Sequence, residues 1–327
     1  MGRQADGRTR TALATIGQAA IAALTLGGAA MAQTPEPPVA PDGWAPAVLD
    51  HAWQHDMVSQ NTGRTYRIFI SLPAAPPPEG GYPVLYLLDG NANFPAADRF
   101  AHGIGRYAHG MVLDIDQPIV VGIGYPGATL LDYPARAEDY TPPAEAYRMT
   151  GDRRAVVHGG ADRFLDFLEQ ELKPAIAAQF PVNTDRESLA GHAYGGLFAL
   201  HALFTRPDSF ETYVASSPSI WWNQRTILGE AETWLAGPAA DGQTPPRLLM
   251  TVGELEQPVS PPEGDTGERA EILTERRMVE NATELAEAIE ARAGDRVDFS
   301  FIFFPGEDHY SAALNIIPYE FQEAGRR

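Results

Sequence analysis

Hydrophobic and polar positions along the chain predict strands that alternate with helices. Residues 66–72 (YRIFISL) alternate with the two-residue period of a half-buried strand. Residues 83–88 (PVLYLL) and 118–124 (PIVVGIG) are apolar almost throughout, as strands buried on both faces of a sheet are. Further strands are predicted at 188–190, 212–215, 247–252 and 297–304.

Two stretches have the spacing of helices, residues 162–180 and roughly 269–292. In the first, one stripe contains Phe164, Leu165, Leu168, Leu172, Ile176 and Phe180. Strands that alternate with helices predict a largely parallel sheet covered on both faces. Residues 126–160 and 257–268 have no periodicity, so we expect long loops there, of the kind that often cover a site.

The N-terminus has the pattern of a secretory leader. Three arginines precede a small, apolar stretch at 11–30, and Ala30-Met31-Ala32 is typical of a cleavage signal. We therefore expect a signal peptide at 1–32, a proline-rich lead-in at 33–46 and a single domain at 47–327, in a periplasmic or secreted protein. An uncleaved anchor helix is the alternative. No later run is long and apolar enough to insert into a membrane.

Composition narrows the chemistry. The chain has no cysteine, which excludes disulfides, thiolate catalysis and cysteine-based metal sites. Its formal net charge of −19 argues against a nucleic-acid partner, and a site for an anion would need its own arginines. The composition does not define an oligomeric state.

Two of the strand ends carry candidate oxyanion-binding groups, and sites in parallel sheets form at such ends. Asp89-Gly90-Asn91 follows the strand at 83–88, and a glycine there lets backbone N–H groups face a cavity. The sequence Gly191-His192-Ala193-Tyr194-Gly195 follows the strand at 188–190 and has the glycines of a G-x-S-x-G nucleophile elbow, with alanine in place of serine. The N–H of Tyr194 would supply a second donor.

Two more strand ends carry an acid and a histidine. Glu254 and Glu256 follow the strand at 247–252, and His309 follows the last strand in what reads as a polar loop. Position 193, Glu256 and His309 stand in the nucleophile–acid–histidine order of α/β-hydrolases. We prefer Glu256 to Glu254 because it lies further into the loop; a dyad without an acid remains open.

Several motifs together resemble the esterase D-type branch of the α/β-hydrolases, which includes periplasmic siderophore esterases, feruloyl esterases, S-formylglutathione hydrolases and mycolyltransferases. The combination is most similar to enterobactin- and salmochelin-type trilactone esterases. The resemblance implies an α/β-hydrolase fold and hydrolysis of a small-molecule ester or lactone without a cofactor or metal. The matching segments are 83–91 (PVLYLLDGN), 119–125 (IVVGIGY), 136–142 (RAEDYTP), 189–200 (LAGHAYGGLFAL), 216–223 (SSPSIWWN) and 306–309 (GEDH).

The resemblance also assigns roles to residues. Ala193 aligns with the nucleophilic serine, His309 with the base, and Asn91 and Tyr194 with the oxyanion donors. Substrate-binding positions are expected at Arg136, His192, Trp221 and Trp222. For Arg136 the alternative is an ion pair with Asp139, and for one of the two tryptophans core packing is the better interpretation.

Ala193 is the main departure from the family pattern. A methyl group cannot attack an ester, and loss of a triad serine lowers turnover by about a million-fold. His192, Tyr194 and Ser311 are nearby in sequence, but none is expected to substitute. The sequence leaves two explanations: an esterase disabled by replacement of its serine, which we favour, or a natural binding protein. An aryl or acyl ester is the alternative substrate.

Overall fold

The computed structural model describes the chain from residue 47 onward with four gaps. The predicted signal peptide and nearly all of the lead-in lie outside the described residues. Residues 49–327 form one compact unit. Within that unit, none of the helices that the structure describes is long and apolar enough to cross a bilayer. The described residues are 42–43, 47–107, 115–147, 149–238, 244–257 and 267–327.

An eight-stranded sheet organises the unit, in the order β1-β2-β4-β3-β5-β6-β7-β8. The first strand pairs antiparallel with the second and the second with the fourth, while all other pairs are parallel. The predicted largely parallel sheet is confirmed. The strands are β1 (Ala52–Val58), β2 (Thr65–Ser71), β3 (Tyr82–Leu88), β4 (Ile119–Gly124), β5 (Val182–His192), β6 (Thr212–Ser216), β7 (Arg247–Gly253) and β8 (Asp298–Phe304).

Helices cover both faces of the sheet, as an α/β-hydrolase fold requires. Side chains of β3 alternate between the two cores: Tyr86 lies in the core on one face of the sheet and Leu85 in the core on the other. The helices are α1 (Gly90–Tyr107), α2 (Tyr133–Asp139), α3 (Ala161–Phe167), α4 (Lys173–Gln179), α5 (Tyr194–Thr205), the single turn α6 (Trp222–Arg225), α7 (Ile227–Ala236), α8 (Glu268–Arg276), α9 (Met278–Arg292), α10 (His309–Asn315) and α11 (Ile317–Gly325).

The predicted helix at 269–292 is two helices. The break is at Arg277, whose φ is +46°, a left-handed value that ends α8 and starts α9. The apolar spacing continues across the break, so periodicity alone could not locate it. The predicted helix at 162–180 is nearly continuous, with a π-helical turn at Leu168–Leu172 between α3 and α4.

The predicted loop at 126–160 is not loop throughout, because it contains α2. Asp132 caps this helix by accepting a hydrogen bond from the N–H of Ala135 at 3.0 Å, and Pro134 lies in its first turn. An N-cap aspartate followed by a proline is a sequence signal for a helix start. The helix is only seven residues long, which is too short for an apolar periodicity to appear.

Candidate active site

The strand-to-helix turn at Ala193 has the geometry of a nucleophile elbow. Ala193 joins β5 to α5 with φ 57° and ψ −111°, a conformation that costs a non-glycine residue about 1–3 kcal/mol. The surrounding glycines are sterically required. A Cβ on Gly191 would lie 2.4 Å from the carbonyl carbon of Gly195, and one on Gly196 would lie 2.8 Å from the Ser216 carbonyl oxygen. The sequence therefore folds into a sharp elbow that ends in a methyl group.

Backbone hydrogen bonds fix the elbow to the chain segment after β6. The N–H of Ala193 donates to the Ser216 carbonyl at 3.0 Å, and its own carbonyl accepts from the N–H of Ser219 at 3.0 Å. Both backbone polar groups of the strained residue are therefore hydrogen-bonded. The backbone thus fixes the direction in which the side chain of residue 193 leaves the elbow.

Two nearby hydroxyl groups have other partners. The Tyr194 hydroxyl donates to Oδ2 of Asp152 at 2.7 Å. The Ser311 hydroxyl accepts from the N–H of Asp308 at 2.9 Å in the cap of α10. The structure thus gives both groups local hydrogen-bond partners; that neither acts as the nucleophile stays a prediction.

His309 and Glu256 form a hydrogen-bonded pair. Nδ1 of His309 lies 2.7 Å from Oε2 of Glu256. The carboxylate is fully buried, whereas the histidine side chain is 36% exposed. A carboxylate at Nδ1 favours the tautomer with its proton on that nitrogen, which leaves Nε2 with a lone pair. His309 is not in a loop, as the sequence suggested, but is the first residue of α10.

Two further hydrogen bonds fix the Glu256 carboxylate. Its Oε1 accepts from the N–H of Gly253 at 2.8 Å and from the hydroxyl of Ser217 at 2.5 Å. Glu254 instead accepts from the N–H of Gly306 at 2.8 Å. The structure therefore brings Glu256, and not Glu254, to His309. Sequence reasoning missed Ser217, because it lies 39 positions from its partner and only the sheet brings them together.

His192 lies directly against His309. The two ring centroids are 4.5 Å apart, and Nδ1 of His192 is 3.0 Å from the Ser216 hydroxyl. Burial, followed by the neighbouring His309 and Arg136, holds the pKa of His192 well below its usual range, so the ring is neutral. Its predicted contact with substrate stays a prediction; what the structure shows is packing against His309.

The two expected oxyanion donors begin helices. Asn91 and Tyr194 lie in the first turns of α1 and α5, where N–H groups have no acceptor within their own helix. The Asn91 side chain is fully engaged: Oδ1 accepts from the N–H of Tyr125 at 2.7 Å, and Nδ2 donates to the Ala128 carbonyl at 2.9 Å. The backbone N–H of Asn91 is therefore the group that remains for an oxyanion.

Arg136 pairs with Asp89 rather than Asp139. Its Nε and Nη2 each donate to an oxygen of Asp89 at 2.8 Å, and both side chains are buried. Asp139 instead accepts from the hydroxyl of Tyr66 at 3.0 Å and lies 3.2 Å from Arg64. The sequence suggested Asp139 because it is three positions away. The bidentate pair braces the turn before Asn91, and substrate contact by Arg136 stays a prediction.

The two tryptophans have different environments. Trp222 is fully buried and packs near the rings of Tyr147 and His158, each about 6 Å away. Trp221 is half-buried, and its ring centroid lies 6.0 Å from that of Tyr194. Core packing therefore describes Trp222, while Trp221 lies beside the elbow.

The arrangement is suited to acyl transfer. It combines an elbow position, a histidine oriented by a buried carboxylate, and backbone N–H groups at two helix starts. Across the described part of the chain, no group of three or more His, Cys, Asp or Glu side chains is placed to hold a metal ion.

Comparisons with known proteins agree with this chemistry. The family model described as "Putative esterase" matches residues 59–309. The ferri-bacillibactin esterase of Bacillus subtilis is 36% identical over 78% of this chain and 83% of its own length. The siderophore triacetylfusarinine C esterase of Aspergillus fumigatus is 38% identical over 75% and 77%. The solved structure of the siderophore hydrolase EstB from Aspergillus nidulans superposes with a TM-score of 0.72 at 34% identity, over 87% and 97% of the two chains. On these matches and its α/β-hydrolase fold, the chain belongs to this esterase family.

Proposed function

We propose that this protein is a siderophore esterase scaffold in which Ala193 replaces the nucleophile, so that it binds its substrate without efficient turnover. The siderophore assignment is supported by the relatives, three of which act on siderophores according to their names. The proposed substrate is an ester or lactone of a siderophore, of the trilactone type.

A hydroxyl at position 193 would act as the nucleophile. Its oxygen would bond to the ester carbonyl carbon while Nε2 of His309 accepts its proton, and Glu256 would stabilise the resulting imidazolium. The N–H groups of Asn91 and Tyr194 would hold the carbonyl oxygen as it gains charge. His309 would return the proton to the departing alcohol. Water would then attack the acyl enzyme, again with His309 as base, and release the acid.

One observation carries the proposal. The His309–Glu256 pair is assembled at 2.7 Å, and the elbow keeps a strained φ of 57°, although the residue there has no nucleophile to activate. A pocket that only binds needs neither a polarised histidine nor this strain. A natural binding protein that has retained both features is the second candidate.

The substitution Ala193→Ser tests the proposal. We expect hydrolysis of p-nitrophenyl butyrate to rise by about three orders of magnitude or more over the unaltered chain. Ala288→Ser, at a half-buried alanine on α9, is the matched control and should leave the protein inactive. A folded Ala193→Ser variant without activity would support the binding protein instead.

A substrate panel for the Ala193→Ser variant tests the siderophore assignment. It would include a catechol trilactone, a feruloyl ester and S-formylglutathione. We expect the trilactone to have the highest kcat/KM. A variant that cleaves the simple esters and ignores the trilactone would contradict this assignment while leaving the esterase mechanism intact.

A further inference from the structure

An arginine with no assigned role lies beside the elbow. Arg276 is the last residue of α8, and its guanidinium carbon is 4.0 Å from the centroid of the Trp221 ring. A guanidinium at this distance over an indole face is attracted by the ring's π-electrons. The Trp221 ring in turn neighbours the ring of Tyr194, the residue that follows Ala193, so the stacked pair lies on the Tyr194 side of the elbow.

Arg276 has no direct ion pair in the part of the chain that the structure describes. Its guanidinium forms no salt bridge and no hydrogen bond there, whereas the next residue, Arg277, pairs with Glu280 and Glu284. The charge of Asp152 acts on Arg276 without a hydrogen bond between them. The N–H donors of this half-buried guanidinium are therefore available to an anionic ligand.

The hydrogen bonds of Asp152 go to groups other than Arg276. Asp152 accepts from the Tyr194 hydroxyl through Oδ2 and from the N–H of Arg154 through Oδ1, both at 2.7 Å. Burial lowers the pKa of Arg276; Tyr194 and Asp152 oppose this shift, and the like charges of Arg154 and Arg153 add to it. The Arg154 guanidinium itself lies 4.5 Å from the centroid of the Tyr133 ring. Cations and aromatic rings are therefore grouped on this side of the elbow.

We propose that Arg276, stacked on Trp221, binds an ionised aromatic group of the substrate and selects it over an uncharged one. The inference rests on the proposed function, since it assumes that the esterase site binds an ester-linked ligand. A planar guanidinium held on an indole offers both a charge and a surface for an aromatic anion. An iron(III) tris-catecholate complex is an aromatic trianion, whereas an iron(III) tris-hydroxamate complex is uncharged. The site should therefore prefer the first.

Calorimetric titration of the unaltered Ala193 chain tests this without any need for turnover. The probes are iron(III) enterobactin, an aromatic trianion, and ferrichrome, an uncharged tris-hydroxamate. We expect the first to bind more tightly. Arg276→Gln should weaken its binding by about 10- to 50-fold, and should change ferrichrome binding by less than about two-fold. Arg292→Gln removes an exposed arginine paired with Glu232 and is the matched control; neither affinity should change.

Other outcomes would overturn the proposal. These are equal losses for both probes, no loss for the anion, or no binding of iron(III) enterobactin. If Arg276→Gln does not fold, Arg276→Lys decides: loss of the planar, stacked guanidinium should weaken binding of the anion and leave ferrichrome binding unchanged. The inference and the proposed function can fail separately. If Ala193→Ser hydrolyses esters while Arg276→Gln binds the anion as the unaltered chain does, this inference is contradicted and the proposed function is not.

Discussion

Two of the histidines that contact carboxylates, His309 and His201, are held in different ways. His309 contacts Glu256 through Nδ1 only, and its side chain is 36% exposed. His201, on α5, contacts Glu230 through Nδ1 at 2.8 Å and Asp162 through Nε2 at 3.1 Å, and is 1% exposed. A histidine that acts as a base needs one ring nitrogen held by a hydrogen bond, and the other must be free to accept a proton. His309 meets that condition, whereas His201 has both nitrogens occupied and links two helices to α5.

The largest expected effect is the difference in kcat between variants of the two histidines. In the Ala193→Ser background, His309→Gln should lower kcat by about 10³- to 10⁵-fold, because it removes the base that the proposed mechanism uses. His201→Gln in the same background should change kcat by less than about three-fold. Steady-state hydrolysis of p-nitrophenyl butyrate measures both. Similar losses of kcat in the two variants would contradict the different roles assigned to the two histidines.

The second prediction concerns the carboxylate that makes His309 different. In the Ala193→Ser background, Glu256→Gln should lower kcat by about 10²- to 10⁴-fold, because it removes the charge that orients the ring and stabilises the imidazolium. Glu254→Gln makes the same change two positions away. Among the described residues the Glu254 carboxylate accepts a hydrogen bond from the Gly306 N–H, and its loss should lower kcat by less than about three-fold. A larger loss from Glu254→Gln would reverse the assignment of the acid.

The smallest expected effect is the contribution of His201 to the free energy of unfolding. Burial alone would lower its pKa, but hydrogen bonds and charges from Asp162 and Glu230 outweigh burial and raise the pKa to about 9 from 6.5. Because the folded pKa is the higher one, this stabilisation is fully present below about pH 6.5 and is lost as pH rises through about 9. Its size is on the order of 3 kcal/mol.

Urea unfolding at about pH 6 and about pH 9.5 measures this contribution. The unaltered protein should lose stability between the two pH values, and His201→Gln should reduce that loss. Part of the loss should remain, because burial raises the pKa of Glu320 to about 8 and this acid also destabilises the fold as pH rises. The same pH-dependent loss in both proteins would show that His201 is not its source. His309→Gln, at the more exposed histidine, is the control and should leave the loss in place.

The elbow and the acid–histidine pair were predictable because strand ends are visible in sequence. Apolar runs locate the strands, parallel strands end at one edge, and the residues that follow them must meet there. Glycines around Ala193 indicated the turn, and position along the chain separated Glu256 from Glu254. These inferences use periodicity and order, which a single sequence contains.

The contacts that brace the site were not predictable. Arg136 and Asp89 are 47 positions apart, and nothing local distinguishes Asp89 from Asp139 as a partner. The edge strand β1 was also missed, because its exposed residues, such as Trp53, give no apolar alternation. The environment of Arg276 depends on the break at Arg277, which the apolar spacing conceals. The predicted signal peptide stays a prediction.

The central claim is that this chain retains a complete acyl-transfer site that lacks only its nucleophile. Intact-mass spectrometry after treatment with a fluorophosphonate tests it most directly, since such reagents label activated serines. We predict one adduct on the Ala193→Ser variant, mapped to the peptide that contains residue 193. We predict none on the unaltered chain, and none on Ala193→Ser combined with His309→Gln. A folded Ala193→Ser variant that stays unlabelled, or labelling that persists without His309, would contradict the account.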